Sequence, residues 1–260
     1  MTTPFGWPDK IECAVCLTYD DGLPIHYTLV GPTLQQYGLR ATFYPVVQSD
    51  LWVHPEQWRG LAQAGHELGN HSLFHPCRRT HAGQYPWLAE DYNLCAYSPE
   101  RLRSELEVAN FVLRLIDGQT ERTYGNTCCD TTIGMGDNEQ AMDEILADLF
   151  VAARGALTNV SAEPARGLNL LNVGCISADG RSFADLTDMV EQARARGGWA
   201  VFMIHGVGAE THDLHLDRDV HHQFILWLAR QPTIWTAPFR EVAKYVNQLR
   251  TVLKQQPKPS

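Results

Sequence analysis

The sequence predicts a single α/β domain built as a (β/α) barrel, in which parallel strands alternate with helices. Strand-like and helix-like segments alternate about eight times along the 260 residues, and no internal repeat or linker separates them. Several strand-like segments are apolar throughout, which is typical of parallel strands buried on both faces. We therefore expect one domain over residues 8–250, followed by a polar C-terminal tail over residues 251–260.

The strand pattern is clearest at two places, CAVCLT over residues 13–18 and WAVFMI over residues 199–204. Both segments are rich in apolar side chains and lack the polar alternation of a half-exposed strand. The full set of predicted strands is 13–18, 40–46, 66–70, 122–126, 149–153, 168–173, 199–204 and 233–236. In a parallel barrel, the residues that follow such strands lie together on one face, where active sites form.

Capping residues mark the boundaries of two predicted helices. Ser98 and Pro99 form an N-cap followed by a proline at the first helical position, and Gly118 ends the apolar period that follows. Ser182 with Asp185 three residues later resembles a capping box. We therefore expect one helix to begin after Ser98 and another to begin after Ser182.

Charge and cysteine content limit the classes of partner. The net charge of -9 argues against nucleic acid or an anionic membrane as the main partner, because both carry negative charge. No segment approaches the ~20 apolar residues of a membrane span, and the first ten residues do not have the pattern of a secretory signal. Seven cysteines leave at least one unpaired within the chain. Reduced thiols and a cytoplasmic location are the simplest expectation.

Acidic and imidazole side chains follow three of the predicted strands. The adjacent carboxylates of Asp20 and Asp21 repel each other, and a bound cation removes that cost. If the segment HSLFH is helical, His71 and His75 share one face and both rings reach one ion. His205 follows an apolar strand, and a histidine whose pKa is near 7 suits a general acid. Such a set fits metal-assisted hydrolysis, with an acidic turn and ordinary core histidines as the alternatives.

Three motifs together resemble those of the polysaccharide deacetylases with a NodB-homology domain, the fourth carbohydrate esterase family. TYDDG at residues 18–22 resembles the first motif of that family, HSLFH at 71–75 matches the second, and IH at 204–205 resembles the fifth. The segments TFY at 42–44 and GHELGNH at 65–71 are similar as well. The resemblance extends over about residues 8–250. It implies a distorted (β/α)7 barrel and a divalent metal, usually zinc and sometimes cobalt or nickel.

The resemblance also implies roles for individual residues. Asp21, His71 and His75 would hold the metal, Asp20 would act as general base and His205 as general acid. The implied activity is hydrolysis of acetyl groups on N- or O-acetylated carbohydrates or on a small acylated substrate.

The third motif departs from the family pattern. Residues 122–130 read RTYGNTCCD, without the prolines that the family often has there. A backbone N–H among residues 127–129 is expected to bind the oxyanion, and Arg122 is the candidate to orient the base. For the fourth motif, Asp179 remains open, whereas Asp185 is explained by capping. The candidate substrate-binding residues are Tyr44, Asn126, Thr127, Cys128 and Trp199.

Two long segments are expected to border the active face, residues 75–97 and residues 206–219. The first is rich in aromatic residues, which would either stack on sugar rings or hold the segment in place. These aromatic residues are Tyr85, Trp87, Tyr92 and Tyr97.

Three other functions remain open at this point. The chain could hydrolyse a cyclic amide or imide, as allantoinase-like relatives of the same fold do. It could be a degenerate barrel that binds sugar without hydrolysis. Two histidines and a carboxylate could also hold non-haem iron for an oxygenase. Asp20 and His205 favour hydrolysis, because a binding protein needs neither a base nor an acid.

Overall fold

The computed structural model describes residues 6–159 and 167–255. Its strands are β1 (Cys13–Asp20), β2 (Thr42–Tyr44), β3 (Glu67–Leu68), β4 (Thr123–Gly125), β5 (Thr132–Ile133), β6 (Gln140–Ala141), β7 (Ala152–Leu157), β8 (Val173–Ser177), β9 (Trp199–Ile204), β10 (Gly206–Val207), β11 (His215–Leu216) and β12 (Ile234–Thr236). Its α-helices are α1 (Gly31–Gln36), α2 (Pro55–Gln63), α3 (Pro99–Asp117), α4 (Asp143–Leu149), α5 (Phe183–Arg196), α6 (Arg218–Leu228) and α7 (Phe239–Gln255).

Seven parallel strands form a curled sheet in the order β3-β2-β1-β9-β8-β7-β4. The two edges of this sheet meet at one point, where Asn70 bridges Tyr124 in parallel. The Asn70 N–H donates to the Thr123 carbonyl at 2.9 Å, and the Gly125 N–H donates to the Asn70 carbonyl at 3.0 Å. The predicted single-domain (β/α)7 barrel is confirmed as a fold class. The point where the two sheet edges meet is the seam of the barrel.

An additional strand, β12, pairs with the part of β1 that β2 does not reach. The carboxyl-terminal half of β1 pairs with β2 through Thr18 to Asp20. The amino-terminal half pairs instead with β12, where Cys13 lies opposite Ile234 and Val15 lies opposite Thr236. Since β9 runs along the opposite side of β1, this strand is held by pairing along its whole length and is fully buried. Its last residue, Asp20, is therefore fixed at the carboxyl end of the sheet.

Two of the predicted strands are displaced. The segment predicted as a strand over 168–173 forms β8 only from Val173 onward. Leu168 and Leu170 belong to a loop, and their side chains are buried in the core. The apolar pattern that predicted a strand here therefore reflects a buried loop. The strand predicted over 149–153 begins later, as β7, because Leu149 still belongs to α4.

The predicted helix ends agree with the structure. The Ser98 side chain accepts from the Arg101 N–H at the start of α3, and Gly118 ends that helix with a φ of 72°. Ser182 and Asp185 form the predicted capping box of α5. None of the described helices is long and apolar enough to cross a membrane.

Candidate active site

The two adjacent carboxylates lie at the point where β1 ends. Asp21 has a φ of 73° and Gly22 a φ of 75°, so two consecutive left-handed residues turn the chain sharply after Asp20. A Cβ atom at Gly22 would lie 2.8 Å from the Ser49 Oγ and 3.0 Å from the Pro45 Cβ, which leaves room only for glycine. The turn points the Asp21 carboxylate over the end of the barrel.

His71 and His75 meet at Asp21 by a different route from the one that their spacing predicts. The segment 71–75 is not helical, because it is irregular and both Ser72 and His75 have positive φ values of 67° and 56°. The Asn70 Oδ1 accepts from the Ser72 N–H at 2.7 Å, and the Ser72 Oγ accepts from the His75 N–H at 2.9 Å. The resulting loop places both Nε2 atoms near one carboxylate oxygen, at 3.4 Å from His71 and 3.3 Å from His75.

The three predicted ligands fit a divalent metal. Their donor atoms, from Asp21, His71 and His75, lie within 4.8 Å of one another. The His71 Nδ1 lies 2.7 Å from the Gly125 carbonyl, and donation there leaves the lone pair of Nε2 directed at the cluster. The Asp21 Oδ1 is buried and accepts no hydrogen bond from the described residues. A carboxylate with two imidazoles is a donor set that zinc accepts.

The electrostatics of Asp21 agree with that fit. Burial raises the pKa of the Asp21 carboxyl, but the neighbouring imidazoles of His71 and His75 outweigh it and hold the pKa well below its usual range. The carboxylate is therefore ionised at neutral pH, as a metal ligand must be.

Asp20, the predicted general base, is paired with an arginine. The Arg154 guanidinium donates to both of its carboxylate oxygens at 2.6 Å, and also to the Thr18 Oγ1 at 2.9 Å. Both side chains are buried, with exposed fractions of 2% for Asp20 and 0% for Arg154. Burial raises the pKa of Asp20, but the charge of Arg154 and then of His71 outweighs it, so the pKa is lowered.

The expectation that Arg122 orients the base is wrong. Arg122 is buried elsewhere, where it donates to both oxygens of Asp117 at 2.8 and 2.6 Å and to the Leu68 carbonyl at 2.6 Å. The arginine that pairs with Asp20 is Arg154, and sequence reasoning missed it. The available signal was a charged residue directly after the apolar segment at 149–153, which in the structure is a position inside β7.

His205, the predicted general acid, is held by Asp179. The Asp179 Oδ2 lies 2.7 Å from the His205 Nδ1, and its Oδ1 accepts from the His205 N–H at 3.1 Å. Burial lowers the pKa of His205, but the hydrogen bond to Asp179 and the charges of Asp20, Asp179 and Asp21 outweigh it and raise the pKa to about 9. His212 stacks on His205 with ring centroids 5.5 Å apart. Asp179, which the sequence left open, is therefore the partner of His205, while Asp185 caps a helix.

The predicted substrate-binding residues are distributed differently. Tyr44 is buried, and its ring lies 6.1 Å from the His71 ring and 5.0 Å under the Arg154 guanidinium, so it supports the site from below. Asn126 and Thr127 are buried directly after β4 at the carboxyl-end face. Trp199 is fully buried at the amino end of its strand. Because His205 follows the other end of β9, Trp199 lies a full strand length away from the predicted catalytic residues, and the expectation that it binds substrate is wrong.

Cys128 corrects the expectation for the cysteines. It forms a disulfide with Cys77, so the two thiols are not free. The bond joins the segment that follows His75 to the segment that follows β4. It also removes the neighbouring cluster of His75 with the two sulfur atoms as a candidate metal site. The five other cysteines are free, and disulfides are typical of oxidising compartments, so the cytoplasmic location stays a prediction.

The sequence was compared with known families and curated proteins. Residues 9–128 match the family described as polysaccharide deacetylase. The amino-terminal part of the chain is thus similar to the polysaccharide deacetylases. Members of this family are hydrolases of acetyl amide or ester bonds.

Two curated relatives match over different lengths. A gellan lyase from a Bacillus species is 24% identical over 271 residues, which cover 94% of this chain and 10% of that protein. A peptidoglycan-N-acetylglucosamine deacetylase from Bacillus cereus is 32% identical over 84 residues, which cover 28% of this chain and 30% of that protein. The matched regions thus span less than a third of either relative.

Solved structures share the fold of this chain. A Mycobacterium smegmatis structure assigned to the polysaccharide deacetylases has a TM-score of 0.63 and 17% identity, covering 98% of this chain and 95% of that one. The PuuE allantoinase has a TM-score of 0.61 and 12% identity, covering 95% of this chain and 93% of that one. At these identities the likeness concerns the fold alone.

Proposed function

We propose that this chain removes acetyl groups from N- or O-acetylated carbohydrates by metal-assisted hydrolysis, with Asp20 as base and His205 as acid. The observation that carries the proposal is the convergence of three separately held groups at one end of the barrel. These groups are the cluster of Asp21, His71 and His75, the Asp20–Arg154 pair and the His205–Asp179 pair.

The proposed metal ligands are Asp21, His71 and His75. When bound there, a divalent metal such as zinc would lower the pKa of water and polarise the carbonyl of the acetyl group. Cobalt and nickel accept the same nitrogen and oxygen donors.

Asp20 is suited to remove a proton from the attacking water. Its Oδ2 lies 3.8 Å from the His71 Nε2, so the carboxylate is next to the ligand cluster without belonging to it. The lowered pKa keeps Asp20 ionised at neutral pH, as a base requires. The two hydrogen bonds from Arg154 fix the orientation of the carboxylate.

His205 is suited to protonate the leaving group. Its Nδ1 is engaged by Asp179, which leaves Nε2 as the nitrogen that faces a substrate. Because its pKa is raised to about 9, the ring carries a proton at neutral pH. An amide leaving group needs this proton more than an ester leaving group does.

The backbone after β4 is suited to hold the oxyanion. The Cys129 N–H donates to the Asn126 carbonyl, so it is engaged. Thr127 and Cys128 begin the short helical turn Thr127–Cys129, and the first N–H groups of a helical turn have no partner within it. We assign the oxyanion contact to one of these two N–H groups.

The test is acetate release by metal-stripped protein, with and without added zinc, from N- and O-acetylated oligosaccharides, alongside ring opening of allantoin. Zinc-dependent acetate release that disappears in His71→Ala is the expected result. Asp20→Asn should remove turnover but keep stoichiometric zinc binding, whereas Cys95→Ser, a free cysteine away from the three groups, serves as control. Zinc-dependent ring opening without acetate release would move the assignment to cyclic amides.

A further inference from the structure

An exposed aromatic surface stands beside the ligand cluster on the side of His75. The indole of Trp87 is 60% exposed, and its ring centroid lies 5.6 Å from that of His75 with a tilt of 53°. The ring of Tyr85 lies 5.6 Å from that of Trp87 with a tilt of 52°. A large apolar ring left in water next to reacting groups is a feature of binding sites.

The other aromatic residues of the same long segment hold it in place. Tyr92 stacks on Phe74 with ring centroids 4.8 Å apart. Tyr97 is buried and donates to Glu105 at 3.1 Å. Trp87 therefore differs from these two residues, because most of its surface remains free after the segment has packed.

The backbone around Trp87 is fixed by its own contacts. Leu88 is buried, and its N–H donates to the Tyr85 carbonyl at 2.9 Å. Arg79 donates to the Leu88 carbonyl at 3.1 Å, and Asn93 accepts from the Arg79 N–H at 3.1 Å. The aromatic surface is thus positioned in advance, which lowers the entropy that a ligand must overcome.

A carboxylate lies at the edge of this surface. One oxygen of Asp130 accepts from the Arg78 N–H at 2.7 Å. Because Arg78 is three residues after His75 and Asp130 is two residues after the disulfide-bonded Cys128, the carboxylate lies beside the chain that leads from His75 to the aromatic surface. A flat apolar surface with an acceptor at its rim matches a pyranose ring, which has an apolar C–H face and a rim of hydroxyl donors.

We propose that Trp87, Tyr85 and Asp130 form a subsite for a second pyranose ring, adjacent to the sugar residue whose acetyl group is removed. This inference rests on the proposed function and narrows the substrate to acetylated oligosaccharides or polysaccharides. A lone acetylated monosaccharide, or a cyclic amide held at the ligand cluster, would leave Trp87 in water.

The experiment compares Trp87→Ala with Phe111→Ala, using zinc-loaded protein. Phe111 is 61% exposed on α3, so it is an aromatic residue of matched exposure on an outer helix. The substrates are the β-1,4-linked tetramer of N-acetylglucosamine and N-acetylglucosamine itself. Trp87→Ala should raise the KM for the tetramer about tenfold, as expected for one lost aromatic contact, with little change in kcat. Trp87→Phe should recover part of the loss, and the loss of kcat/KM in Trp87→Ala should be larger for the tetramer than for the monomer.

Binding of the tetramer to the Asp20→Asn protein, measured by calorimetry, separates this inference from the proposed function. Binding that Trp87→Ala weakens and Phe111→Ala does not would support the subsite even if no acetate were released. Equal kinetics and equal binding for the two alanine variants would overturn the subsite and leave the deacetylase proposal standing. Absence of tetramer binding by the parent protein would also overturn the subsite.

Discussion

Two buried ion pairs keep the proposed base and acid in opposite charge states. Arg154 holds Asp20 as a carboxylate, and Asp179 holds His205 as an imidazolium. Both states are those needed before the reaction begins. We therefore expect the loss of either pair to shift the pH dependence of activity.

Replacement of Asp179 should move the alkaline limit of activity. In Asp179→Asn, loss of the carboxylate removes a cause of the raised pKa of His205, which is about 9 in the parent protein. The pKa should fall, so the alkaline limb of the kcat profile should shift to lower pH. In the parent, stability from this pair is fully present below the unfolded value of 6.5 and is lost as the pH rises through about 9. An alkaline limb unchanged in the variant would contradict the assignment of His205 as acid.

Replacement of Arg154 should move the acidic limit in the opposite sense. Without the guanidinium, the effect of burial on Asp20 is opposed only by the charges of His71 and His205, so its pKa should rise and the acidic limb of kcat/KM should shift to higher pH. Arg154→Ala leaves a buried carboxylate unpaired and should cost about 3–5 kcal/mol in the free energy of unfolding. Arg154→Lys keeps the charge but loses the paired hydrogen bonds, and it should show a smaller shift.

The control is Arg103→Lys, since Arg103 pairs with Asp148 at the surface. This variant should leave both the pH profile and the stability unchanged. If Arg154→Lys behaved in the same way, the pairing would not orient the base.

The sequence identified the side chains that a local pattern marks, and it missed those whose contacts form only in the folded protein. Asp20 and Asp21 end a strongly apolar strand, and that local pattern reports where a strand stops. Arg154 is 134 positions away from Asp20, and their contact depends on the register of β7 in the sheet. The partnership of Asp179 with His205 likewise follows from two loops that meet only in the fold.

The loop from His71 to Cys77 shows where local periodicity fails. The spacing of the two histidines fits a helix, yet Ser72 and His75 adopt left-handed conformations that side chain to backbone hydrogen bonds hold. Such bonds compete with helix formation, and the pattern of apolar residues does not reveal them. The misplaced strand over 168–173 has a related cause, because buried loop leucines resemble strand leucines in sequence.

The disulfide should matter for both stability and catalysis. It closes a sequence separation of 51 residues and ties the ligand loop to the turn Thr127–Cys129. In the chain-entropy description, loss of such a link costs about 4 kcal/mol. The double variant Cys77→Ser with Cys128→Ser should therefore lower Tm and reduce kcat more than it raises KM, because the oxyanion donor loses its position. Cys95→Ser is the matched control. Equal kinetics of the double variant and this control would contradict the inference that the disulfide positions the oxyanion donor.

The barrel as a whole has one seam, and two of the proposed ligands, His71 and His75, follow one of its two edges. The sheet edges meet only through Asn70 and Tyr124 among the described residues. His71 follows Asn70 directly, and its ring contacts the Gly125 carbonyl on the opposite edge. Asp21 follows β1, which is two strands away from the β3 edge. A metal at this point would join the end of β1 to the loop after β3, and the His71 ring would connect that loop to β4.

Zinc should therefore stabilise the entire domain against unfolding. A ligand that binds only the folded state at 100 times its Kd adds about 2.7 kcal/mol, which for a domain of this size corresponds to a rise in Tm of about 5–10 °C. His75→Gln should abolish this rise, because it removes one ligand while leaving the seam contacts of His71 in place. Without zinc, the variant and the parent should unfold at similar temperatures. An equal zinc-dependent rise in both proteins would place the bound metal elsewhere, and a chelator should reverse the rise in the parent alone.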